Sequence, residues 1–337
     1  MKKNDDIMVV GNTTIRPGER ATVDLPVADL YTSTSLNMPV RIIRGRQPGP
    51  VLFVSAAIHG DELNGVEIIR RLLKRKTLRS IRGTLIAIPV VNVHGFLDQS
   101  RYLPDRRDLN RSFPGSAKGS IAARLANLFL REIVAKADVG LDLHTGALHR
   151  SNLPQIRANL DDTGTLELAT AFGAPVVINS NTRDGSLRAC AAKRGMPILI
   201  YEAGEALRFD ETCIRTGLRG ILNVMRHMHM LPAVKSSSPI KPVIARSTRW
   251  IRASTSGIVT DKAKLGSTIS KGQVMAMISD PLGEDETRVI APSDGIIIGR
   301  SNLPLAHEGD ALFNLGTFRN MPKASSAVES LDPTPTA

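Results

Sequence analysis

Cysteine is scarce in this 337-residue chain: there are only two, Cys190 and Cys213. Two thiols exclude a zinc knuckle or iron–sulfur cluster built from cysteines, and they suit a reducing compartment. Aromatic residues are also few, at 4%, with one Trp and three Tyr. That is thin material for stacking single-stranded nucleic acid. No stretch approaches the ~20 consecutive apolar residues a membrane-spanning helix needs. The opening Met1–Asp6 carries charge with no apolar run behind it, so a secretory signal is not expected and a cytoplasmic location is. Acidic residues are in the minority, 32 against 44 Lys and Arg, for a formal charge of +12. Such a balance suits nucleic acid, an anionic membrane or a small anionic substrate. No recognition helix, stacking motif or zinc finger supports the first, and the expectation is no nucleic-acid or membrane partner.

What is present is an alternation of buried strands and amphipathic helices. Short strands are expected at Thr13–Ile15, Ala21–Leu25 and Pro39–Arg44. Apolar runs at Val51–Ile58, Thr84–Val91, Val139–Leu143, Pro175–Ile178 and Met196–Tyr201 read as buried strands. Helical spacing follows at Val66–Leu73, and helices are expected at Ile121–Ala135, Leu166–Phe172, Gly185–Arg194 and Thr212–His229. This is the pattern of an α/β fold, a mixed and mostly parallel sheet flanked by helices, over residues 1–234, with 1–45 as leading strands. Residues 235–243, rich in Ser, Pro and Lys, read as a linker. Residues 244–320 lose all helical periodicity and read as a small all-β domain, with 321–337 as a disordered tail.

Four polar residues share one address. His59 closes the Val51–Ile58 run, with Glu62 three residues on; His144 closes the Val139–Leu143 run; Glu202 closes the Met196–Tyr201 run. The carboxyl ends of parallel strands are where α/β sheets gather ligands. Two His and one Glu are a known ligand set for catalytic zinc, which keeps a further position for water. His59, Glu62 and His144 therefore fit a single zinc ion per chain. Glu202 is then free to act as general base on the attacking water. A lone His-x-x-Glu carries little weight; it is the joint placement at strand ends that does. His94 also follows an apolar strand but reads as structural, and Arg157 and Arg188 read as peripheral.

Ala57-Ile-His59-Gly-Asp-Glu62-Leu-Asn-Gly65, the loop Arg101-Tyr-Leu-Pro-Asp-Arg-Arg-Asp108-Leu-Asn110-Arg111, Asp142-Leu-His144-Thr-Gly and Tyr201-Glu202-Ala-Gly together resemble the succinylglutamate desuccinylase/aspartoacylase family, a branch of the zinc carboxypeptidase-like hydrolases. The resemblance spans about residues 35–325. It implies that His59, Glu62 and His144 are zinc ligands and that Glu202 is the catalytic glutamate. It also implies that Asn110 and Arg111 grip a substrate carboxylate, that Arg101 polarises the scissile carbonyl, and that Asp108 orients the first zinc histidine. Arg106 and Arg107 are alternatives to Arg101. A guanidinium fork holds a carboxylate in a way lysine cannot. The C-terminal part resembles the barrel-sandwich hybrid of biotinyl and lipoyl carriers, but Asp261-Lys262-Ala263 is misplaced for a carrier lysine, so the domain reads as structural, shaping the pocket rim. The expectation is a zinc-dependent amidohydrolase acting on a small anionic N-acylated substrate, with homo-oligomerisation open. Its rivals are a zinc carboxypeptidase of short peptides or cell-wall fragments, and a non-catalytic metal- or ligand-binding protein.

Overall fold

The computed structural model describes residues 7–234 and 242–331. Its strands are β1 (Met8–Val10), β2 (Thr13–Ile15), β3 (Arg20–Asp29), β4 (Ser35–Arg44), β5 (Gln47–Ala56), β6 (Arg82–Ile88), β7 (Val139–Gly146), β8 (Arg150–Ala158), β9 (Val176–Asn179) and β10 (Ile198–Glu205). The C-terminal part adds β11 (Val243–Arg252), β12 (Gly257–Thr260), β13 (Thr268–Ile269), β14 (Val274–Ser279), β15 (Glu286–Ile290), β16 (Gly295–Ser301), β17 (Leu305–Ala306) and β18 (Ala311–Phe318). The helices are α1 (Asn64–Leu73), α2 (Val93–Leu97), α3 (Ile121–Glu132), α4 (Thr163–Phe172), α5 (Leu187–Ala192), α6 (Glu211–His227) and α7 (Met321–Glu329). None of the described helices is long and apolar enough to cross a membrane.

Strand β7 is buried along its whole length, as a strand covered on both faces must be. One face packs against α1 and α6 through Leu52, Val54, Ile68, Leu141 and Ile214. The other packs against α3 through Phe53, Ile86, Leu125 and Phe129. Helix α1 lies directly on the sheet at Gly65, where an added Cβ would stand 2.7 Å from the Ala56 Cβ and 2.8 Å from the Leu143 Cβ. That close seating sets the turn that carries His59 and Glu62.

The main sheet has twelve strands in the order β13-β16-β18-β11-β9-β8-β10-β7-β5-β6-β4-β3. The expectation of a mostly parallel sheet needs correction. Parallel pairing holds for β6–β5, β5–β7 and β7–β10, and again for β8–β9 and β9–β11. The other seven pairings are antiparallel. The sheet is mixed: two parallel runs, β6-β5-β7-β10 and β8-β9-β11, meet at the antiparallel β10–β8 pair.

The C-terminal part is not a separate appendage. Strand β11 continues the sheet beside β9, with Val243 opposite Val176. Strand β16 also pairs with β8, so β8, β9, β11, β18 and β16 close into a five-stranded barrel. Strands β15, β14, β12 and β17 form a further four-stranded sheet, packed on the barrel through Val259, Ile278, Ile297 and Phe313. Most of the expected linker, 235–241, lies outside the described residues, and Val243 is already in β11. Lys262 is held down, its Nζ donating to the Leu303 carbonyl at 2.7 Å.

Two further expectations change. Strand β8 was not legible because Pro154 argues against a central strand. The ladder tolerates it through a bulge: Glu202 faces Gln155 and Gly204 faces Asn152, so two residues of β10 span three of β8. The tail expected to be disordered from residue 321 instead begins with α7, capped by the Asn320 side chain on the Lys323 N–H. Its Ala324 and Val328 close an apolar cluster with Val176, Ile178 and Ile298, and burial of that face outweighs a polar composition. Residues 332–337 lie outside the described residues.

Helix α6 crosses α1 where Gly217 meets Ile68; a Cβ on Gly217 would lie 2.5 Å from the Ile68 Cδ1. Ile68 is fully buried there. Ile68→Ala is expected to lower unfolding free energy by about 2–5 kcal/mol with an unchanged denaturant slope, measured by urea denaturation.

Candidate active site

His59 and Glu62 sit on one tight turn between β5 and α1, closed by the Glu62 N–H donating to the His59 carbonyl at 3.1 Å. Gly60, inside it, lies against the backbone of α2: a Cβ would come within 1.9 Å of the Gly95 carbonyl carbon. Only glycine fits, and the turn is thereby locked in place. His144 stands near the end of β7, one strand away, and Glu202 is its register partner on β10. Strand alternation puts Asp142 on the same face as His144.

The three candidate ligands converge. His59 Nδ1 lies 2.7 Å from Glu62 Oε1, and His144 Nδ1 lies 2.8 Å from Glu62 Oε2. All three ligand atoms fall within 4.8 Å of one another, and all three residues are buried. Each imidazole is held through its other nitrogen by an aspartate. His59 Nε2 is 3.1 Å from Asp108 Oδ1, and His144 Nε2 is 2.7 Å from Asp142 Oδ2. Asp142 is itself fixed by the Ser55 hydroxyl at 2.8 Å. This carboxylate–imidazole–ligand arrangement is what metal-bound histidines require, and two imidazoles with one carboxylate suit a divalent ion that keeps a further ligand position.

The charges are strongly coupled. Burial alone would raise the Glu62 pKa, but His59 and His144 outweigh it and hold the carboxyl well below its usual range. Burial would lower both histidines; Glu62 and Asp108 raise His59, and Asp142 with Glu62 raises His144 well above its ordinary value. Asp108, against its own burial, is held low by His59 and Arg101.

These groups open onto a pocket of about 310 Å³, at the small end of ligand sites. Six arginines line it: Arg101, Arg111, Arg150, Arg157, Arg183 and Arg188, against the carboxylates Glu62 and Glu202. Arg101 stands beside the triad, its Nη1 3.2 Å from His59 Nδ1 and its Nη2 donating to Asp108 Oδ2 at 2.9 Å. Arg106 and Arg107 do not reach the pocket; Arg107 pairs with Asp105 at 3.7 Å. Asn110 and Arg111 both line the pocket, and Asn110 is anchored by the Leu187 N–H, which donates to its Oδ1 at 3.0 Å. His94 lies on α2 outside the pocket.

Arg157 and Arg188 are not peripheral. Arg157 Nε is 3.0 Å from Glu202 Oε2, and Asn152 Nδ2 donates to the same oxygen at 3.1 Å. The bulge at Pro154 is the reason: the extra residue brings Asn152 onto the face that Gln155, Arg157 and Glu202 share. Arg188 is 8% exposed and donates to Ser180 Oγ at 3.0 Å and to the Asn181 carbonyl at 2.6 Å. Burial, then neighbouring Arg157, pushes its pKa down to about 10. Asp142 was also missed, although its spacing of two from His144 on a strand was signal enough. The barrel contributes Trp250, whose ring lies in the pocket wall with the Arg150 guanidinium 5.4 Å from its centroid.

Fold and site together describe an α/β protein with a His–Glu–His triad able to hold a metal ion at the carboxyl edge of its parallel strands. Residues 48–228 match the family model described as the succinylglutamate desuccinylase/aspartoacylase catalytic domain, and the chain belongs to that family. It is 27% identical over 289 residues to the N-alpha-acetyl-L-2,4-diaminobutyric acid deacetylase of Halomonas elongata, covering 82% of this chain and 84% of that one. Its fold matches a succinylglutamate desuccinylase/aspartoacylase of Rhodobacter sphaeroides at TM-score 0.80 and 24% identity, over 90% of this chain and 97% of the other. The product-bound ectoine utilization protein EutE (DoeB) of Ruegeria pomeroyi matches at TM-score 0.81 and 23% identity, over 94% and 100%.

Asp142→Asn is expected to keep the fold and weaken divalent-metal affinity by about 10–100-fold, measured by competition with a chromophoric chelator. His144→Ala is expected to be purified without stoichiometric metal, measured by elemental analysis; normal metal content would contradict its place in the ligand set.

Proposed function

We propose that this protein is a zinc-dependent amidohydrolase that deacylates an N-acyl amino acid or a related small carboxylate. The observation that carries the proposal is the Glu202 carboxylate beside a His59–Glu62–His144 triad, in a small pocket walled by six arginines. The Halomonas elongata deacetylase supports amide deacylation as the reaction class.

His59, Glu62 and His144 would hold the ion, with Asp108 and Asp142 fixing the two rings. When bound, zinc supplies Lewis acidity and brings the pKa of the attacking water toward ~7. Glu202 offers Oε1 to that water. Both of its contacts fall on Oε2, from Asn152 and Arg157, and Oε1 has none among the described residues. The carboxylate takes the water's proton and later passes it to the leaving amine. Arg101, beside the triad, would stabilise the developing oxyanion. Arg111 and Asn110 hold the substrate carboxylate and so orient the amide. Trp250 and the barrel wall limit length, which favours a single N-acylated amino acid over a peptide.

The test is a hydrolysis panel of N-acetyl-L-aspartate, N-succinyl-L-glutamate, N-acetyl-L-2,4-diaminobutyrate and short dipeptides, with and without chelator. Hydrolysis of at least one N-acyl amino acid, abolished by chelator and restored by zinc, is expected. Cleavage of dipeptides alone would replace the reading with a carboxypeptidase. Glu202→Gln is expected to keep its metal and lose about 10²–10⁴-fold in kcat; retained turnover would remove Glu202 as the base.

A further inference from the structure

The C-terminal strands do more than border the pocket. Strand β16 runs against β8 with Gly299 opposite Asn152, and against β18 with Gly299 opposite Asn314. A Cβ on Gly299 would stand 2.8 Å from Asn152 Oδ1 and 3.3 Å from the Asn314 Cβ. The space that glycine leaves is the space the Asn152 amide occupies. Asn152 is 8% exposed and turns its Nδ2 to Glu202 Oε2 at 3.1 Å.

Three residues along, just past the end of β16, Asn302 makes a second tie. Its Nδ2 donates to Ser151 Oγ and to Glu205 Oε2, both at 2.7 Å, and its N–H donates to the His149 carbonyl at 2.7 Å. Ser151 precedes Asn152 on β8, and Glu205 lies three residues beyond Glu202 on β10. One asparagine therefore clamps the two strands that carry the carboxylate and its amide partner. The clamp falls beside the Pro154 bulge, where the register of the β8–β10 ladder shifts between Glu202 and Gly204.

We infer that Gly299 and Asn302 are positioning residues for Glu202: the barrel strand β16 sets the orientation of the proton-transferring carboxylate through Asn152 and through the β8–β10 clamp. The inference rests on Glu202 being the base of the proposed reaction. An error of about 1 Å in such a group costs up to ~10²-fold in rate. The carboxylate grip of Asn110 and Arg111 lies on another loop, so the effect falls on kcat and not on KM.

The test is a double-mutant cycle in the full-length, metal-loaded protein, using the N-acyl amino acid of the panel that is turned over fastest. Gly299→Ala is expected to lower kcat about tenfold with KM within twofold, and to cost less than twofold in the Asn152→Ala background, where the amide it displaces is gone. Asn302→Ala is expected to lower kcat about tenfold with metal content unchanged. The same cycle read by thermal unfolding checks the Gly299–Asn152 contact without any use of activity. Gly299→Ala costing the same factor in both backgrounds, or Asn302→Ala with wild-type kcat, overturns the assignment. Retained turnover in Glu202→Gln would instead overturn the base on which it rests, while leaving the thermal coupling between Gly299 and Asn152 intact.

Discussion

A carboxylate with 2% of its surface exposed has to be compensated where it stands, and Glu62 is such a group. Taking an ion of that kind out of water costs several kcal/mol, and the cost is recovered only with near-ideal partners. Glu62 meets His59 on one oxygen and His144 on the other, and the backbone N–H of Thr145 donates to it at 3.1 Å. Those histidines are themselves buried and need anchors, which fixes Asp108 and Asp142. Asp108 then needs Arg101, and Asp142 needs Ser55. A single buried charge thus dictates the position of a turn, two strand ends and the arginine-rich loop. The same arrangement brings two imidazole nitrogens and a carboxylate together, and an ion held there would replace the imidazole–carboxylate hydrogen bonds as the partner of Glu62.

The barrel resolves a different problem. The pocket is cationic, and without a wall on its open side it would be a trough for any acidic chain. Closing β8, β9, β11, β18 and β16 on one another supplies that wall and delivers Trp250 to it. Strand β8, shared with the barrel, also places Arg157 and Asn152 on the same oxygen of Glu202. Six arginines and Trp250 line the pocket, so a small carboxylate would meet positive charge on several sides.

Part of the candidate site is legible in the sequence. His59, His144 and Glu202 each terminate an apolar run, with Glu62 three residues after His59, and apolar runs of that length form the buried strands of an α/β sheet. Asn110 and Arg111 were legible only through the company of their motif, since a loop of arginines reads equally well as a solvated surface. Arg157 was misplaced because its strand was not visible: Pro154 interrupts β8, and the bulge that absorbs the proline also reverses which face Asn152 occupies. Arg188 was misplaced because its approach to Arg157 crosses from α5 to β8. Neither sequence periodicity nor spacing carries information about such a crossing.

The central alternation of strands and helices, the placing of His59, His144 and Glu202 at the ends of apolar runs and the excess of positive charge follow from the sequence, because they depend on local periodicity and on side-chain chemistry. Which strands pair, and so whether the C-terminal part stands apart or closes a barrel with β8, was decided only in three dimensions. Pairing depends on registers between segments more than a hundred residues apart, such as Gly299 against Asn152. The sequence contains both residues, but their relation to Glu202 exists only once the bulge and the barrel have brought three distant strands together.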